Sequence, residues 1–277
     1  MGADVGCVLN LPRWRTVKST LLFMRIVSYN ILNGGRERAD LVHRVIEASG
    51  PDVVVLVEAD DAEVVTELGD RLGMEAFHAP SGGDHAGAIL SRFPITKTRN
   101  HALDGRGHWM NACFEAWVEA PDGTEWPIAG VHFAAHASEE RERLREAQLE
   151  SLFQRLAHLQ GTPHLLAGDF NSNAPSQQID PACCSLRTRR LWEENGGKIP
   201  RRIVRRLIDA GYLDTLHTVD PDRAETTGTY TTEFPGQRID YIFTRGIDPS
   251  RIRTAWIDQG GVAAEASDHF PIGVEFD

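Results

Sequence analysis

The chain has 277 residues, of which 41% are hydrophobic and 25% charged, a composition typical of a folded protein with a substantial core and not of a disordered one. Its formal net charge of -11 argues against tight, sequence-independent binding of nucleic acid, because that affinity comes mostly from basic residues that displace counterions. The charge still permits a nuclease that holds its substrate briefly. The sequence contains no apolar run near the roughly 20 residues that a membrane-spanning helix needs.

Residues 1–23 are predicted to be an N-terminal extension, and residues 24–277 a single domain. Met24 opens the alternating run MRIVSYN, and the apolar stretch before it is too short for a signal peptide. We expect the extension to be poorly ordered. The four cysteines lack metal-binding CxxC spacing, and two of them, Cys183 and Cys184, are adjacent. The cysteine pattern therefore favours reduced thiols in a cytoplasmic protein, and we expect the protein to be a monomer.

Strands and helices are predicted to alternate along the chain. The run RIVSYNIL is a first strand, and a helix between residues 36 and 49 ends at the Gly50-Pro51 stop. The continuous run DVVVLVE is typical of a strand covered on both faces. A helix with apolar residues from Val64 to Leu72 follows, and then the strands GAILS, NACFEAWVEA and EWPIAGVHF. Ser138 is predicted to cap a long helix reaching about Leu159, before the strands PHLLAGDFN, RIDYIF and HFPIGVEF.

Polar residues end or begin several of these strands. An unpaired charge is too costly to bury, so these side chains need partners or water. If the strand ends converge at one edge of the sheets, a single hydrated pocket meets that need. The residues concerned are Asn30, Glu58, His132, Asp169, Asn171, Asp240, Asp268 and His269.

Seven segments occur in an order that resembles the endonuclease/exonuclease/phosphatase superfamily, which is related to pancreatic deoxyribonuclease and exonuclease III. The match runs from about Met24 to Asp277, and any one segment alone would be a weak pattern. The resemblance implies a four-layer α/β sandwich, in which two packed mixed β-sheets carry helices on their outer faces. It also implies divalent-metal-dependent hydrolysis of phosphoesters. The segments are SYNIL, VVVLVE, ILSRFPI, GVHF, AGDFN, RIDYIF and SDHFPI.

The resemblance assigns a role to each polar residue at the strand ends. Glu58 is the expected principal ligand of Mg²⁺, for which Mn²⁺ can substitute, with Asn30 and Asp268 assisting directly or through water, since hard cations prefer oxygen ligands. His269 is the expected general base, and Asp240 fixes its tautomer. Asp169 positions or helps to deprotonate the water, and Asn171 donates to a phosphoryl oxygen. His132 either binds the phosphate or protonates the leaving group.

Each of these residues also has an ordinary structural interpretation. A single Asp or Asn after a strand is usually a turn former or a helix cap. Arg145 and Gln148 match a pattern on the superfamily's long helix, but a solvated or structural role is expected for both. A structural role is also expected for six of the histidines outside the motifs, namely His43, His78, His101, His158, His164 and His217.

Residues 187–206 form a basic segment, with eight Lys or Arg against two Glu and hence a local charge of +6. A helix that ends at Gly211 is predicted to bury Ile203, Val204, Leu207 and Ile208 on one face. Its arginines would hold substrate phosphates if the helix overhangs the pocket, and would be a solvated, ion-paired surface if it does not. The arginines concerned are Arg201, Arg202, Arg205 and Arg206.

Features absent from the sequence narrow the substrate. Glu58 is followed by ADD instead of a Thr/Val-Lys continuation, and TYTTEFPGQRIDY lacks a tryptophan-rich lead-in, so an abasic-site repair enzyme is not expected. The aromatic hairpin and secretion signal of a secreted sphingomyelinase are also missing. The remaining candidate substrates are phosphodiesters or phosphomonoesters, either in a nucleic acid or in a small phosphorylated molecule. A phosphate- or nucleic-acid-binding module without catalysis, on the same scaffold, is the alternative.

Overall fold

The computed structural model describes residues 23–104 and 109–277, so the predicted extension lies outside the described residues except for Phe23. Within these ranges, twelve strands form two six-stranded mixed sheets. In spatial order, the first sheet contains β11 (Ile252–Ile257), β12 (Ile272–Phe276), β1 (Met24–Asn30), β2 (Val53–Val57), β4 (Gly87–Ser91) and β3 (Glu75–Ala79). The second contains β5 (Ile95–Asn100), β6 (Cys113–Glu119), β7 (Glu125–His132), β8 (His164–Asp169), β10 (Asp240–Arg245) and β9 (Leu213–Asp214).

Helices cover the outer faces of the two sheets. Buried apolar residues from both sheets share one core with α1 (Ala39–Ser49), α2 (Ala62–Leu72) and α8 (Gly261–Ala266). A second core joins the other face of the second sheet to α3 (Glu139–Arg155) and α5 (Arg202–Asp209). Three further helices are α4 (Leu186–Glu194), α6 (Thr215–Val219) and α7 (Pro221–Thr226). The predicted four-layer α/β sandwich is therefore confirmed.

The strongest sequence patterns correspond to the best-formed elements. All five residues of β2 are buried, as the continuous β-branched run predicts. Helix α2 begins at Asp61, whose side chain accepts hydrogen bonds from the N–H groups of Glu63 and Val64. Helix α3 begins at Ser138, whose side chain accepts from the N–H of Arg141. Its predicted C-terminal turn is a 3₁₀ turn, Leu156–Leu159, and not α-helix.

Four strands and four helices have no counterpart among the sequence predictions. Strand β5 is almost entirely exposed or half-buried, so no apolar alternation marks it. Strand β9 has two residues, and α6, α7 and α8 have five or six, too short for periodicity to show. Within the described residues, no helix is long and apolar enough to cross a membrane. Cys113, Cys183 and Cys184 are free thiols.

The inner face of α3 is partly polar. Arg145 is fully buried, so the solvated interpretation of this residue is wrong and the structural one is right. Its guanidinium pairs with Glu142 and donates to the carbonyl oxygens of Ala134 and His136, each at 2.7 Å. Gln148 is buried beside it and accepts from the N–H of Ala134 at 3.0 Å. These contacts fix the loop after β7 to the helix.

Candidate active site

The strand ends meet at one edge of both sheets. In the first sheet, parallel pairing places Asn30 beside Val57, directly before Glu58. In the second, parallel pairing places His132 beside Asp169, and antiparallel pairing places Asp240 opposite Asp169. A cavity of about 470 Å³ opens at this edge, and its lining includes Glu58, His132, Asp169, Asn171, Asp268 and His269. Six of the eight predicted residues thus face one cavity, and the other two contact members of this group.

Glu58 leaves β2 with an unusual backbone conformation, a φ of 54°. Its Oε1 accepts from Asn30 Nδ2 at 3.0 Å and its Oε2 from the backbone N–H of Asn33 at 3.0 Å. Burial raises the pKa of this carboxyl, but His132, His85 and the two hydrogen bonds outweigh burial and hold the pKa below its ordinary value. Glu58 is therefore kept as a carboxylate at the cavity wall.

Asn30 connects the two sheets. Its Nδ2 also donates to Asp169 Oδ2 at 3.3 Å, while its Oδ1 accepts from the N–H of Leu32 at 3.1 Å. Its carbonyl oxygen accepts from Ser267 Oγ at 2.7 Å. One lone pair of Oδ1 is thus engaged and one remains, so Asn30 positions Glu58 and can still contribute an oxygen ligand.

His269 and Asp240 form a buried pair. His269 Nδ1 lies 2.9 Å from Asp240 Oδ2, so the imidazole donates from this nitrogen. Its Nε2 lies 3.8 Å from Asp169 Oδ2 and 4.0 Å from Asp268 Oδ1. Burial alone would lower the pKa of His269, but the charge and hydrogen bond of Asp240 raise it to about 10. The ring of Tyr230 packs against the imidazole, with the ring centroids 4.7 Å apart.

Asp169 and Asn171 form a tight turn at the end of β8. The N–H of Asn171 donates to Asp169 Oδ1 at 2.8 Å, and Asn171 Nδ2 donates to the carbonyl oxygen of Phe133 at 3.0 Å. Gly168 has a φ of 139°, and a Cβ there would lie 1.9 Å from the carbonyl oxygen of Val131. Burial and the charge of Asp240 raise the pKa of Asp169 to about 8.

Two stacked histidines line the same cavity. His132 Nε2 lies 3.7 Å from Asp169 Oδ2, and His132 Nδ1 is buried without a hydrogen-bond partner among the described residues. Burial lowers the pKa of His132 to about 4. The ring of His85 stacks on it with centroids 5.4 Å apart, and His85 Nδ1 lies 3.0 Å from Asp60 Oδ2. The hydrogen bond that the Asp60 carboxylate accepts raises the pKa of His85.

Sequence reasoning missed this Asp60–His85 pair. The only signal was a histidine shortly before the buried strand GAILS, in a glycine-rich loop that looked like an ordinary connection. The pair adds a second imidazole beside Glu58, with His85 Nδ1 3.9 Å from Glu58 Oε2.

The donor set suits a hard divalent cation. Glu58 and Asp268 offer carboxylate oxygens, and Asp268 Oδ1 is buried without a hydrogen-bond partner in the described part of the chain. Burial raises the pKa of Asp268, and the negative charge of Glu58 adds to that effect. A second group that could hold an ion consists of Asp169, Asp240 and His269, whose ligand atoms lie within 4.8 Å of one another. Since His269 and Asp240 already bond to each other, Glu58 and Asp268 are the better candidates for metal ligands.

Four arginines at the C-terminal end of the basic segment, Arg201, Arg202, Arg205 and Arg206, do not line this cavity. Arg201 donates to the carbonyl oxygens of Ala174, Pro175 and Gln177. Three ion pairs hold α5 to α3, from Arg202 to Glu139 and Glu146, and from Arg206 to Glu150. Arg205 is exposed and does not line the cavity. The contacts of these arginines thus favour the ion-paired surface over substrate binding, and Ile208, expected to be buried, is 44% exposed.

Comparison with known proteins agrees with this geometry. The sequence profile of the Endonuclease/Exonuclease/phosphatase family matches residues 27–269. The chain belongs to this family. Its members are hydrolases that act on phosphoester bonds, and in general they depend on divalent metals. No curated protein matches the sequence.

Several solved structures share the family fold. An AP endonuclease from Archaeoglobus fulgidus is 18% identical, with a TM-score of 0.69 over 92% of this chain and 99% of that one. A 3′ phosphatase from Neisseria bound to a product DNA hairpin is 22% identical, with a TM-score of 0.67 over 92% and 99%. Truncated TDP2 from Caenorhabditis elegans is 16% identical, with a TM-score of 0.62 over 92% and 97%. Since an AP endonuclease is among them, the predicted exclusion of abasic-site repair has no support here.

Proposed function

We propose that this protein is a phosphoesterase that uses Mg²⁺ or Mn²⁺ to hydrolyse phosphodiester bonds by in-line attack of water, with phosphomonoesters as a second candidate class of substrate. The observation that carries the proposal is the convergence of Glu58, Asp169 and the Asp240–His269 pair on one cavity, from strands of two different sheets. Packing of the protein core does not require carboxylates and an imidazole at one place, whereas hydrolysis of an anionic phosphoester does.

The roles of the residues follow from their contacts. His269, held through Nδ1 by Asp240, presents Nε2 to the water, and Asp169 beside Nε2 orients that water. Asn171 has a second amide hydrogen, beyond the one bonded to Phe133, to donate to a phosphoryl oxygen. The lowered pKa of His132 favours a neutral ring that binds the phosphate over one that protonates the leaving group.

A divalent cation held by Glu58 and Asp268 would neutralise phosphoryl charge, and its own charge would lower the pKa of the neighbouring His269 into the range where the ring accepts a proton. The substrate proposal covers nucleic acid and small phosphorylated molecules. The DNA-bound 3′ phosphatase among the similar structures supports a nucleic acid terminus as one such substrate.

A hydrolysis panel tests the proposal. Bis-p-nitrophenyl phosphate, plasmid DNA and single-stranded RNA are each incubated with Mg²⁺ or Mn²⁺ and with EDTA. We expect cation-dependent turnover of at least one substrate and its loss in Glu58→Ala and His269→Ala. Activity that survives both substitutions would remove this mechanism. A folded protein inactive on a broad phosphoester panel would favour the non-catalytic binding module.

A further inference from the structure

A positively charged wall lies on the same cavity as the acidic residues. It is formed by the loop after β7 and by the first turns of α3 and α4. Arg141 is the third residue of α3 and Arg187 the second residue of α4, and both line the cavity together with His136. We call these three residues the basic rim.

The charge of the basic rim is not balanced by carboxylates. Within the described residues, neither Arg141 nor Arg187 has an ion-pair partner within 4.0 Å, although the chain carries a net charge of -11. Two acidic residues near Arg141 in α3 are engaged elsewhere, Glu139 with Arg202 and Glu142 with Arg145. The rim therefore has two guanidinium groups whose hydrogen-bond donors are available to a ligand.

The electrostatic effects of these arginines are visible on their neighbours. Burial lowers the pKa of His136, and the charges of Arg187 and Arg141 lower it further. The charge of Arg187 also reaches Tyr230, whose ring packs on His269. Arg187 thus acts electrostatically on Tyr230, and both residues line the same cavity as His269.

The wall that carries Arg187 is anchored. Trp192 of α4 is buried against Ala137 and Cys184. Ser185 begins α4 and accepts from the N–H of Thr188 at 3.2 Å. Leu144, Leu191 and Trp192 add apolar surface to the cavity lining, which suits the organic part of a ligand.

We propose that Arg141 and Arg187 form a second anion subsite, which binds an additional phosphate group on a substrate whose scissile ester lies beside Glu58 and His269. This inference rests on the proposed function, and it narrows the substrate to molecules with two phosphate groups near each other, such as a phosphorylated nucleotide or oligonucleotide end. A diester with a single phosphate would leave the rim without a ligand.

Calorimetry tests the subsite without turnover. The full chain with His269→Ala is titrated with thymidine 3′,5′-bisphosphate and with thymidine 5′-monophosphate in Mg²⁺. We expect the bisphosphate to bind about tenfold more tightly, the factor expected for one charge-assisted hydrogen bond. Adding Arg187→Gln or Arg141→Gln should remove most of this preference, and Arg187→Lys should retain part of it.

Arg205→Gln is the matched control, because it removes one exposed arginine of the basic segment that does not line the cavity. This variant should keep the full preference. Equal affinities for the two ligands in the parent, or equal losses in the Arg187 and Arg205 variants, would overturn the subsite. Hydrolysis of bis-p-nitrophenyl phosphate by the wild-type protein is measured separately, so a failed subsite and a failed phosphoesterase give different results.

Discussion

At the scale of single residues, the central unit is the Asp240–His269 pair beside Asp169. Asp240 fixes the tautomer of the imidazole and raises its pKa, whereas the oxygens of Asp268 and Glu58 define a neighbouring region of negative charge. The raised pKa of His269 means that the pocket that suits a cation also binds a proton tightly. Binding of a proton to His269 should therefore oppose binding of a cation beside it.

Replacing Asp240 by Asn should impair turnover far more than folding. The amide keeps the volume of the carboxyl but no longer holds the charged imidazole, and loss of such a partner typically costs about 10 to 100-fold in activity. The measurement is kcat on bis-p-nitrophenyl phosphate together with the melting temperature. A collapse in melting temperature with normal specific activity in the surviving protein would contradict this role.

The metal-free protein should lose stability as the pH rises above neutrality. The folded-state pKa of His269 is raised from 6.5 to about 10, so its stabilising contribution is complete below about pH 6.5 and is lost as the pH approaches 10. Asp169, raised from 3.8 to about 8, acts in the same direction at lower pH. Urea unfolding in EDTA at pH 6.5 and pH 9 measures the change. Asp240→Asn should show a smaller decrease, and an equal or larger one would contradict the assignment.

The sequence was sufficient to single out the eight motif residues as candidates for one site, but it did not reveal their neighbours. Glu58 directly follows a buried strand, and Asp169 is the last residue of another. Carboxylates are unusual at such positions, so the sequence alone indicates that these two residues have a function. His85 and Asp60 lie in a loop, where polar residues are ordinary. The contact of His85 with His132 depends on how β4 approaches β7, and spacing along the chain does not encode that.

At the scale of elements, α3 shows how a charged helix can be buried. Its sequence gives a partly polar inner face, and the structure explains this through Arg145, which bonds to Glu142 and to two loop carbonyls. The same loop carries His136 of the basic rim. Helix α3 therefore links the stability of the second sheet to the geometry of the cavity.

Arg145→Met should destabilise the fold by about 3 to 5 kcal/mol, because it leaves the Glu142 carboxylate buried without its partner. The free energy of unfolding in urea is the readout. Arg143→Met is the matched control on the same helix, since the side chain of Arg143 is 75% exposed and, among the described residues, its one ion pair is with Glu139. That control should lose about 1 kcal/mol or less. A similar loss of unfolding free energy in both variants would show that the buried ion pair of Arg145 is not important for stability.

The sequence predicted the packing of only one face of α5. The predicted apolar face of α5 was right for Ile203, Val204 and Leu207, but the opposite face pairs with α3 and does not overhang the cavity. The charges of α3 and α5 are evident from the sequence, but the relative position of the two helices is not. The sequence of α5 alone therefore could not predict that its arginines pair with the glutamates of α3.

At the scale of the whole molecule, two mixed sheets bring the ends of their parallel strands to one edge. Asn30 bonds to Glu58 in its own sheet and to Asp169 in the other, so the site forms only when the sheets pack. The family resemblance carried by the order of the seven motifs implied this architecture, and each motif closes or opens a buried strand. The edge strands β5 and β9 and the short helices escaped prediction, since they bury too little to impose a pattern.

The central claim is that these strand ends form one cation-holding site next to His269, and paramagnetic broadening tests it most directly. Mn²⁺ is titrated into the protein while the imidazole C–H signals are followed by NMR, with His269→Gln identifying the relevant signal. We expect low concentrations of Mn²⁺ to broaden the signals of His269 and His132 first, and Glu58→Gln to abolish the effect. Tight Mn²⁺ binding that leaves the His269 signal sharp would contradict the account.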